Sequence, residues 1–347
     1  MAIDSPFAAA ASYHPEGVRE YRGAVLPVRF GPPADEYRAA HTGVVMFDRS
    51  ERGLLVLTGA DRATWLHNLV TNTVKTLEPN TGNYAFATDV KGRVQFDANT
   101  LVLTDQVWLD VDREALPGIV AHLSRYRIIE DVQIQDATSE HARLGCTGPE
   151  AVRVATALGV SNFTALPALA SVALLEADMR LVRHDFAGMP GFELVLPAAR
   201  AAEIWDRMVE AGARPAGFAV LDALRVEAGI PWFGRDIDDQ VIPPETGHVE
   251  RGISYHKGCY IGQEVMERMR ARGILARRLV RLSAPPNGEL SLPAEMRSGD
   301  SVVGRVTSLV PHPTEQRRIG LGYLKTAVEP TAALVAGDPP IAISVVP

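Results

Sequence analysis

The sequence predicts an α+β fold with two ferredoxin-like halves of the βαββαβ type, followed by a small antiparallel β-barrel. Residues 54–134 show the order strand, helix, several strands, helix, strand, and residues 142–211 repeat that order more weakly. Beyond residue 277 the pattern changes to short alternating strands separated by turn residues, which is typical of a small barrel. We therefore predict three units, at residues 1–140, 141–275 and 276–347.

The first unit begins with a proline-rich stretch, residues 1–35, that predicts an extended arm packed on the body of the protein. A helix is predicted to begin near Asp61, because Trp65, Leu66 and Leu69 form one apolar stripe. The other predicted elements are a strand at 54–58, a hairpin of 84–89 with 94–103, a strand at 107–111, a helix at 113–127 and a strand near 132–134.

In the second unit, Pro149 suits the first turn of a helix that runs through Leu158. A later helix, after Pro215, carries Leu221, Leu224 and Val226 on its apolar side. The remaining predictions are strands at 142–146, 171–177, 179–184 and 192–196, a helix at 198–211, and barrel strands at 279–282, 301–310, 318–323 and 341–346.

The composition is that of an ordinary globular protein of 347 residues, with 46% hydrophobic and 22% charged residues. The sequence has no apolar run near the roughly 18 residues of a membrane span, and its first residues do not resemble a signal peptide, so we expect a cytoplasmic monomer. The net charge of −7 argues against binding nucleic acid or an anionic membrane. The basic stretch 267–281 is the exception, and both a solvated face and an anion-facing role stay open for it.

The two cysteines, Cys146 and Cys259, are too far apart in sequence to form a C-x-x-C motif. We therefore expect no metal site built from this chain alone and no structural disulfide. Cys259 lies on a glycine-containing loop just before a predicted helix, with Lys257 and His256 beside it. Such a setting favours the thiolate, although a free cysteine is also often a small buried apolar residue.

Residues 257–264 read Lys-Gly-Cys-Tyr-Ile-Gly-Gln-Glu and match the pattern K-G-C-Y/F-x-G-Q-E at every position. On this motif the chain resembles the YgfZ family of folate-binding proteins linked to iron–sulfur cluster maintenance. That family belongs to the aminomethyltransferase superfamily built on the T-protein of the glycine cleavage system. The resemblance extends over most of the chain, through residues 53–72, 82–97, 144–151, 191–193, 221–234 and 278–323.

The resemblance implies that tetrahydrofolate, or a derivative, binds in a central channel between the two halves, with the barrel closing one side. It implies that Tyr84 lies against the pterin or its linker, that Asp97 handles the folate amine, and that Arg225 grips the glutamate tail. Glu193 joins these cofactor-binding residues through the matching run 188–193, in which Met189 stands where T-proteins have a carboxylate. A strand tyrosine with a bonded hydroxyl and a helix-surface ion pair are the plain alternatives for Tyr84 and Arg225.

Three functions follow from these observations. The first is a folate-binding accessory protein for iron–sulfur cluster assembly or repair, in which Cys259, supported by Lys257, meets a cluster, a client protein or an oxidised thiol. The second is a tetrahydrofolate-dependent aminomethyl or demethylating transferase that uses Asp97 as its acid or base. The third is an interaction module without folate. The missing carboxylate at Met189 and the added cysteine favour the first function, with iron–sulfur client or assembly proteins as partners.

Overall fold

The computed structural model describes residues 3–174, 179–273 and 275–346, and the structural statements below refer to these residues. They form a mixed α/β fold with two facing sheets and a closed six-stranded antiparallel barrel, so the predicted fold class is confirmed. The end of the strand predicted at 171–177 lies outside the described residues.

The N-terminal arm is tied to the second half of the protein. It contains β1 (Val18–Tyr21) and β2 (Ala24–Pro27), which pair antiparallel, and it leads into α1 (Pro33–Thr42) and β3 (Val45–Asp48). The rings of Phe7 and Tyr13 lie 5.2 and 4.9 Å from that of Trp205, which is fully buried. Helix α1 begins with a proline and carries Asp35 and Glu36 in its first turn, as the helix dipole favours.

The first half forms a five-stranded sheet in the order β5-β6-β7-β4-β8. One face of it packs on two helices through Leu55, Leu57, Trp65 and Leu116. Its elements are β4 (Arg52–Thr58), α2 (Arg62–His67), β5 (Thr81–Thr88), β6 (Val94–Val102), β7 (Val107–Asp112), α3 (Leu116–Ser124) and β8 (Gln133–Asp136).

The second half repeats this succession of strand, helix, three strands, helix and strand. Its elements are β9 (His141–Thr147), α4 (Ala151–Ala157), β10 (Ser171–Ala173), β11 (Arg180–Arg183), β12 (Gly191–Pro197), α5 (Ala201–Glu210), β13 (Arg214–Pro215) and α6 (Phe218–Glu227). Each half has one strand more than the predicted βαββαβ order. The sheet order, β10-β11-β12-β9-β3-β13, matches that of the first half except that β3 is inserted between β9 and β13.

The C-terminal barrel closes because β19 pairs with β14, in the order β14-β17-β16-β15-β18-β19. The sequence pattern predicted four of these six strands, and the other two, β15 and β18, are short. The elements after α6 are α7 (Val249–Gly252), α8 (Gln263–Arg272), β14 (Arg277–Ala284), β15 (Ala294–Ser298), β16 (Ser301–Pro311), β17 (Arg318–Lys325), β18 (Leu334–Ala336) and β19 (Ile341–Val346).

The inner faces of the two sheets meet in a layer that also receives Tyr323 from the barrel. Leu54 and Phe86 of the first sheet pack there with Val182 and Val195 of the second. Charged side chains interrupt this layer and form the site described below. In the part of the chain that the structure covers, we find no helix long and apolar enough to span a membrane.

Candidate active site

A cleft with an enclosed volume of about 40 Å³ opens between the two halves of the protein. Its walls combine aromatic and aliphatic side chains with an equal share of charged and polar ones, so the cleft can contact both flat rings and charged groups. The lining residues are Arg49, Arg52, Tyr84, Asp97, Asn99, His184, Phe186, Ile230, Pro231, Trp232, Phe233 and Arg251.

Tyr84 and Asp97 form a hydrogen-bonded pair in the wall of this cleft. They lie on adjacent strands, β5 and β6, where Phe86 faces Asp97 in the antiparallel register. The Tyr84 hydroxyl donates to Asp97 Oδ2 at 2.7 Å, and the Arg251 guanidinium lies 4.3 Å from the centroid of the tyrosine ring. The structure therefore brings together two of the predicted site residues, while their contact with folate stays a prediction.

The environment of Asp97 makes its carboxylate a better proton acceptor than an ordinary aspartate. Burial raises the pKa of Asp97, and the nearby Arg52 guanidinium opposes that rise only in part. Burial, together with the Asp97 charge, also holds the pKa of Tyr84 well above its usual value, so the phenol stays a hydrogen-bond donor. A buried carboxyl of this kind can take up and return a proton during a reaction.

Glu193 belongs to a chain of alternating charges that joins the two sheets. Its carboxylate lies 2.9 Å from Arg49 Nη1 and 3.4 Å from Arg143 Nη1. Arg143 continues to Asp110 at 2.6 Å, and Arg52 reaches the same Asp110 oxygen at 2.8 Å. Since Arg143 and Glu193 lie on the second sheet and Arg52 and Asp110 on the first, this chain fixes the two walls relative to each other.

The Glu193 carboxylate is held in its ionised form. Burial alone would raise the pKa of Glu193, but the charges of Arg49, His184 and Arg143 bring it well below its usual range. His184 Nδ1 lies 3.1 Å from Glu193 Oε2. Glu193 therefore orients the cationic side of the cleft, and direct contact with a cofactor stays a prediction for it.

Arg225 lies behind the cleft wall instead of lining the cleft. Its fully buried guanidinium donates to Asp222 at 2.8 Å, to Ser308 at 2.8 Å, and to Asp236. It also lies 4.6 Å from the centroid of the Trp232 ring, which does line the cleft. The structure thus gives Arg225 internal carboxylate partners and a place supporting Trp232, and its predicted grip on a folate tail stays a prediction.

The motif loop before α8 is held against the first half by Lys257. The Lys257 ammonium donates to three backbone carbonyls, those of His67, Val70 (2.6 Å) and Asn72 (3.0 Å). Three acceptors match the three N–H donors of an ammonium group. Burial, with the charge of Lys75, lowers the pKa of Lys257 to about 7, so this proton is lost more readily than from a surface lysine. The structure thus gives Lys257 a role in anchoring the loop, while its support of Cys259 stays a prediction.

Gly262 is required where the motif loop meets β5. Its φ is +84°, and a Cβ there would lie 2.5 Å from Thr88 Oγ1 and 2.6 Å from the Asp89 carbonyl oxygen. Thr88 Oγ1 also donates to the Ile261 carbonyl at 2.6 Å. The motif glycine therefore permits a close approach that seats α8 on the first half, although residue 262 falls within the predicted second unit. The predicted boundaries at 140 and 275 stay predictions.

The two cysteines lie in opposite environments. Cys259 is exposed on the motif loop, whereas Cys146 is fully buried in β9, and burial raises the pKa of the Cys146 thiol far above its usual value. We expect a small alkylating reagent at neutral pH to label Cys259 and to leave Cys146 unmodified until the protein unfolds. Peptide mass spectrometry with and without urea checks this, with Cys259→Ser as the control, and labelling of Cys146 first would contradict it.

His67 makes the region under the motif loop sensitive to acid. Burial and the Lys257 charge lower the pKa of His67 to about 4, and its Nδ1 accepts a hydrogen bond from the Val74 amide. Because the unfolded histidine binds a proton near pH 6.5 and the folded one does not, stability is complete above that value and falls as pH drops towards 4.

We therefore expect the free energy of urea unfolding to drop less between pH 7 and 4.5 in His67→Gln than in the wild-type protein. Glutamine keeps an acceptor for the Val74 amide but does not titrate. His14→Gln, which changes an exposed histidine, serves as the matched control. An unchanged pH dependence in His67→Gln would show that this histidine is not part of the acid response.

Several charged residues of the site escaped the sequence analysis, namely Arg49, Arg52 and Arg251 in the cleft wall and Asp110 and Arg143 in the chain of charges that joins the two sheets. A signal for three of them was present, since Arg52, Asp110 and Arg143 interrupt otherwise apolar strands, and a charge in a buried strand needs a partner. Arg251 follows no such pattern.

The basic stretch 267–281 is exposed on α8, where Arg268, Arg270 and Arg272 face solvent, so both the solvated face and the anion-facing role stay open for it. No group of three or more metal-binding side chains occurs among the described residues.

Comparisons with known proteins place the chain in a family. The model of the GCVT N-terminal domain matches residues 10–254. The aminomethyltransferase of Rubrobacter xylanophilus is 30% identical over 334 residues, which cover 94% of this chain and 88% of that protein. The aminomethyltransferase of Geobacillus kaustophilus is 30% identical over 317 residues, covering 89% and 86%.

The fold has a close solved counterpart as well. The crystal structure of glycine cleavage system aminomethyltransferase T from Bartonella henselae superposes with a TM-score of 0.83 at 19% identity, covering 95% of this chain and 92% of that one. The predicted resemblance to the T-protein superfamily is confirmed by the family match, while the finer assignment to YgfZ stays a prediction. On this evidence the chain belongs to the family of the GCVT N-terminal domain.

Proposed function

We propose that this protein is a tetrahydrofolate-dependent one-carbon transferase of the aminomethyltransferase type, the second of the three functions that the sequence suggested. The names of its relatives support this assignment more than they support an iron–sulfur role. The observation that carries it is the buried Asp97–Tyr84 pair in the wall of a cleft between the two halves. A reactive carboxyl placed in an aromatic cleft suits an aromatic substrate that carries amine nitrogens.

The residues of the cleft fit such a substrate. Phe186, Trp232 and Phe233 offer flat apolar surface to a ring system. The exposed Arg251 offers a cation to a carboxylate of its tail. When bound, tetrahydrofolate would supply the amine nitrogens that accept the carbon unit. Asp97 would then hold the proton released at the reacting nitrogen, with Tyr84 orienting the carboxylate.

Calorimetry with tetrahydrofolate, followed by an assay for methylene-tetrahydrofolate formed from an aminomethyl donor, tests the proposal. Saturable binding with turnover is the expected result. Glutamate alone is the control ligand, because it carries the tail without the ring. Absence of folate binding would contradict the proposal, and binding without turnover would favour the accessory function.

That accessory function, in iron–sulfur cluster assembly or repair, remains the second candidate. Exposed Cys259 favours it, because the Lys257 anchor and Gly262 present this thiol on a fixed loop to partner proteins. A thiol binds iron and attacks oxidised thiols, whereas a hydroxyl does neither well. Cells carrying Cys259→Ser at matched expression should lose iron–sulfur enzyme activity under oxidative stress, and full activity in those cells would reject this candidate.

A further inference from the structure

A second cavity, the rear cavity, lies beside the N-terminal arm and has a volume of about 100 Å³. Residues 3, 4 and 6 of the arm line one side of it, and strands of both halves line the rest. Its charged lining residues are Asp4, Arg52, Arg113, His141 and Arg143.

Two of the three arginines in the rear cavity are already neutralised. Arg52 and Arg143 both contact the Asp110 carboxylate, at 2.8 and 2.6 Å. Arg113 differs from them, because its described hydrogen bond runs from Nη1 to the Ser50 carbonyl at 2.9 Å and it forms no ion pair with a described carboxylate. Burial lowers the pKa of Arg113, and the charges of Asp136, Asp48 and Glu51 oppose that shift only in part, since none of these carboxylates forms an ion pair with it. Its remaining N–H donors are free to bind a carboxylate in the forked geometry that arginine favours.

Asp4 supplies the opposite charge in the same cavity. It is exposed on the arm, and it makes no ion pair with any residue that the structure describes, including Arg113. A cation and an anion that share a cavity without contacting each other leave a gap between two unlike charges. A zwitterion with a carboxylate at one end and an ammonium at the other complements such a gap.

We propose that the rear cavity binds a small amino acid, with its carboxylate on Arg113 and its ammonium on Asp4. His141 and Ser139 belong to the wall around it. Arg52 lines both this cavity and the cleft that contains Asp97, so a bound amino acid lies next to the folate cleft across one shared side chain. The site goes beyond the proposed transferase function and does not depend on it, because amino acid binding can be measured without folate.

The test uses glycine as the zwitterion, acetate as the carboxylate alone and ethylamine as the amine alone, each titrated at constant ionic strength without folate. Glycine is expected to bind saturably and at least about tenfold more tightly than either fragment, because it makes both charged contacts at once. Arg113→Met should weaken glycine binding at least about tenfold by the same reasoning. Asp4→Asn should make glycine and acetate bind alike.

Arg38→Met is the matched control, because Arg38 is an exposed arginine on α1 paired with Asp35. If Arg113→Met does not fold, Asp4→Asn, on the exposed arm, and Arg113→Lys carry the test. Lack of saturable glycine binding by the wild-type protein would overturn the inference, and so would equal glycine affinity in Arg113→Met and Arg38→Met. Folate calorimetry on the same variants, expected to be unchanged, separates this outcome from a failure of the transferase proposal.

Discussion

Asp97→Asn is expected to lower the rate of one-carbon transfer by about 10²- to 10⁴-fold, the range that a positioned acid or base contributes. Asparagine preserves the shape of the carboxyl group and can still accept the Tyr84 hydrogen bond, but it cannot take up a proton. Folate affinity should therefore change much less than kcat. Steady-state kinetics and calorimetry on the same preparation measure both quantities.

The pH profile offers an independent check on Asp97. Because burial raises the pKa of Asp97, the acid side of the kcat profile should fall at a pH above the usual titration range of an aspartate, and this limb should disappear in Asp97→Asn. Asp105→Asn, in an exposed loop before β7, is the matched control and should behave as the wild type. Turnover that survives Asp97→Asn would show that another group is the acid or base.

Arg225→Met is expected to destabilise the protein by about 3–5 kcal/mol, the usual cost of removing one partner from a buried charge network. The change leaves the fully buried Asp236 without its closest cation, although Thr307 and Ser308 still donate to it at 2.6 Å. Asp222 keeps Arg235 at 2.6 Å. Urea unfolding monitored by circular dichroism measures this loss.

Arg38→Met gives the comparison for Arg225→Met, since breaking an exposed ion pair costs only about 0–1 kcal/mol. Unchanged stability in Arg225→Met would contradict the structural role of Arg225. Folate calorimetry below the unfolding transition then separates the two roles. A folded Arg225→Met variant with normal folate affinity excludes a contact between Arg225 and folate. Weakened folate affinity with normal stability supports the predicted contact of Arg225 with the glutamate tail.

Much of the fold followed from sequence because it depends on local patterns. The apolar stripe at Trp65 and Leu66 and the hairpin at Lys91-Gly92 indicated α2 and the β5–β6 pair, and both are present. The insertion of β3 into the second sheet could not be predicted, because the apolar residues of a short strand do not specify which other strand it pairs with.

Some contacts of the candidate site could likewise be predicted from the sequence, and others could not. Tyr84 and Asp97 came from the family resemblance, and the hairpin register brings them together. The contacts of Lys257 could not be inferred, because its partners are backbone carbonyls nearly 190 positions away in the sequence. For Arg225, the pair with Asp222 one helical turn earlier was within reach of sequence reasoning, whereas the contact with Ser308 of the barrel was not. The spacing of residues in the sequence shows which side chains are close along the chain. It does not show which distant hydrogen-bond acceptors a long side chain reaches in the fold.

The insertion of β3 also governs the order in which the chain can fold during synthesis. All four residues of β3 are buried, yet its neighbours β9 and β13 follow it by about a hundred residues or more. A nascent chain that ends near residue 140 would expose an apolar strand with both edges unpaired, which is a template for aggregation. We therefore expect a fragment of that length to aggregate, because β3 can pair only after the residues of β9 and β13 have been made.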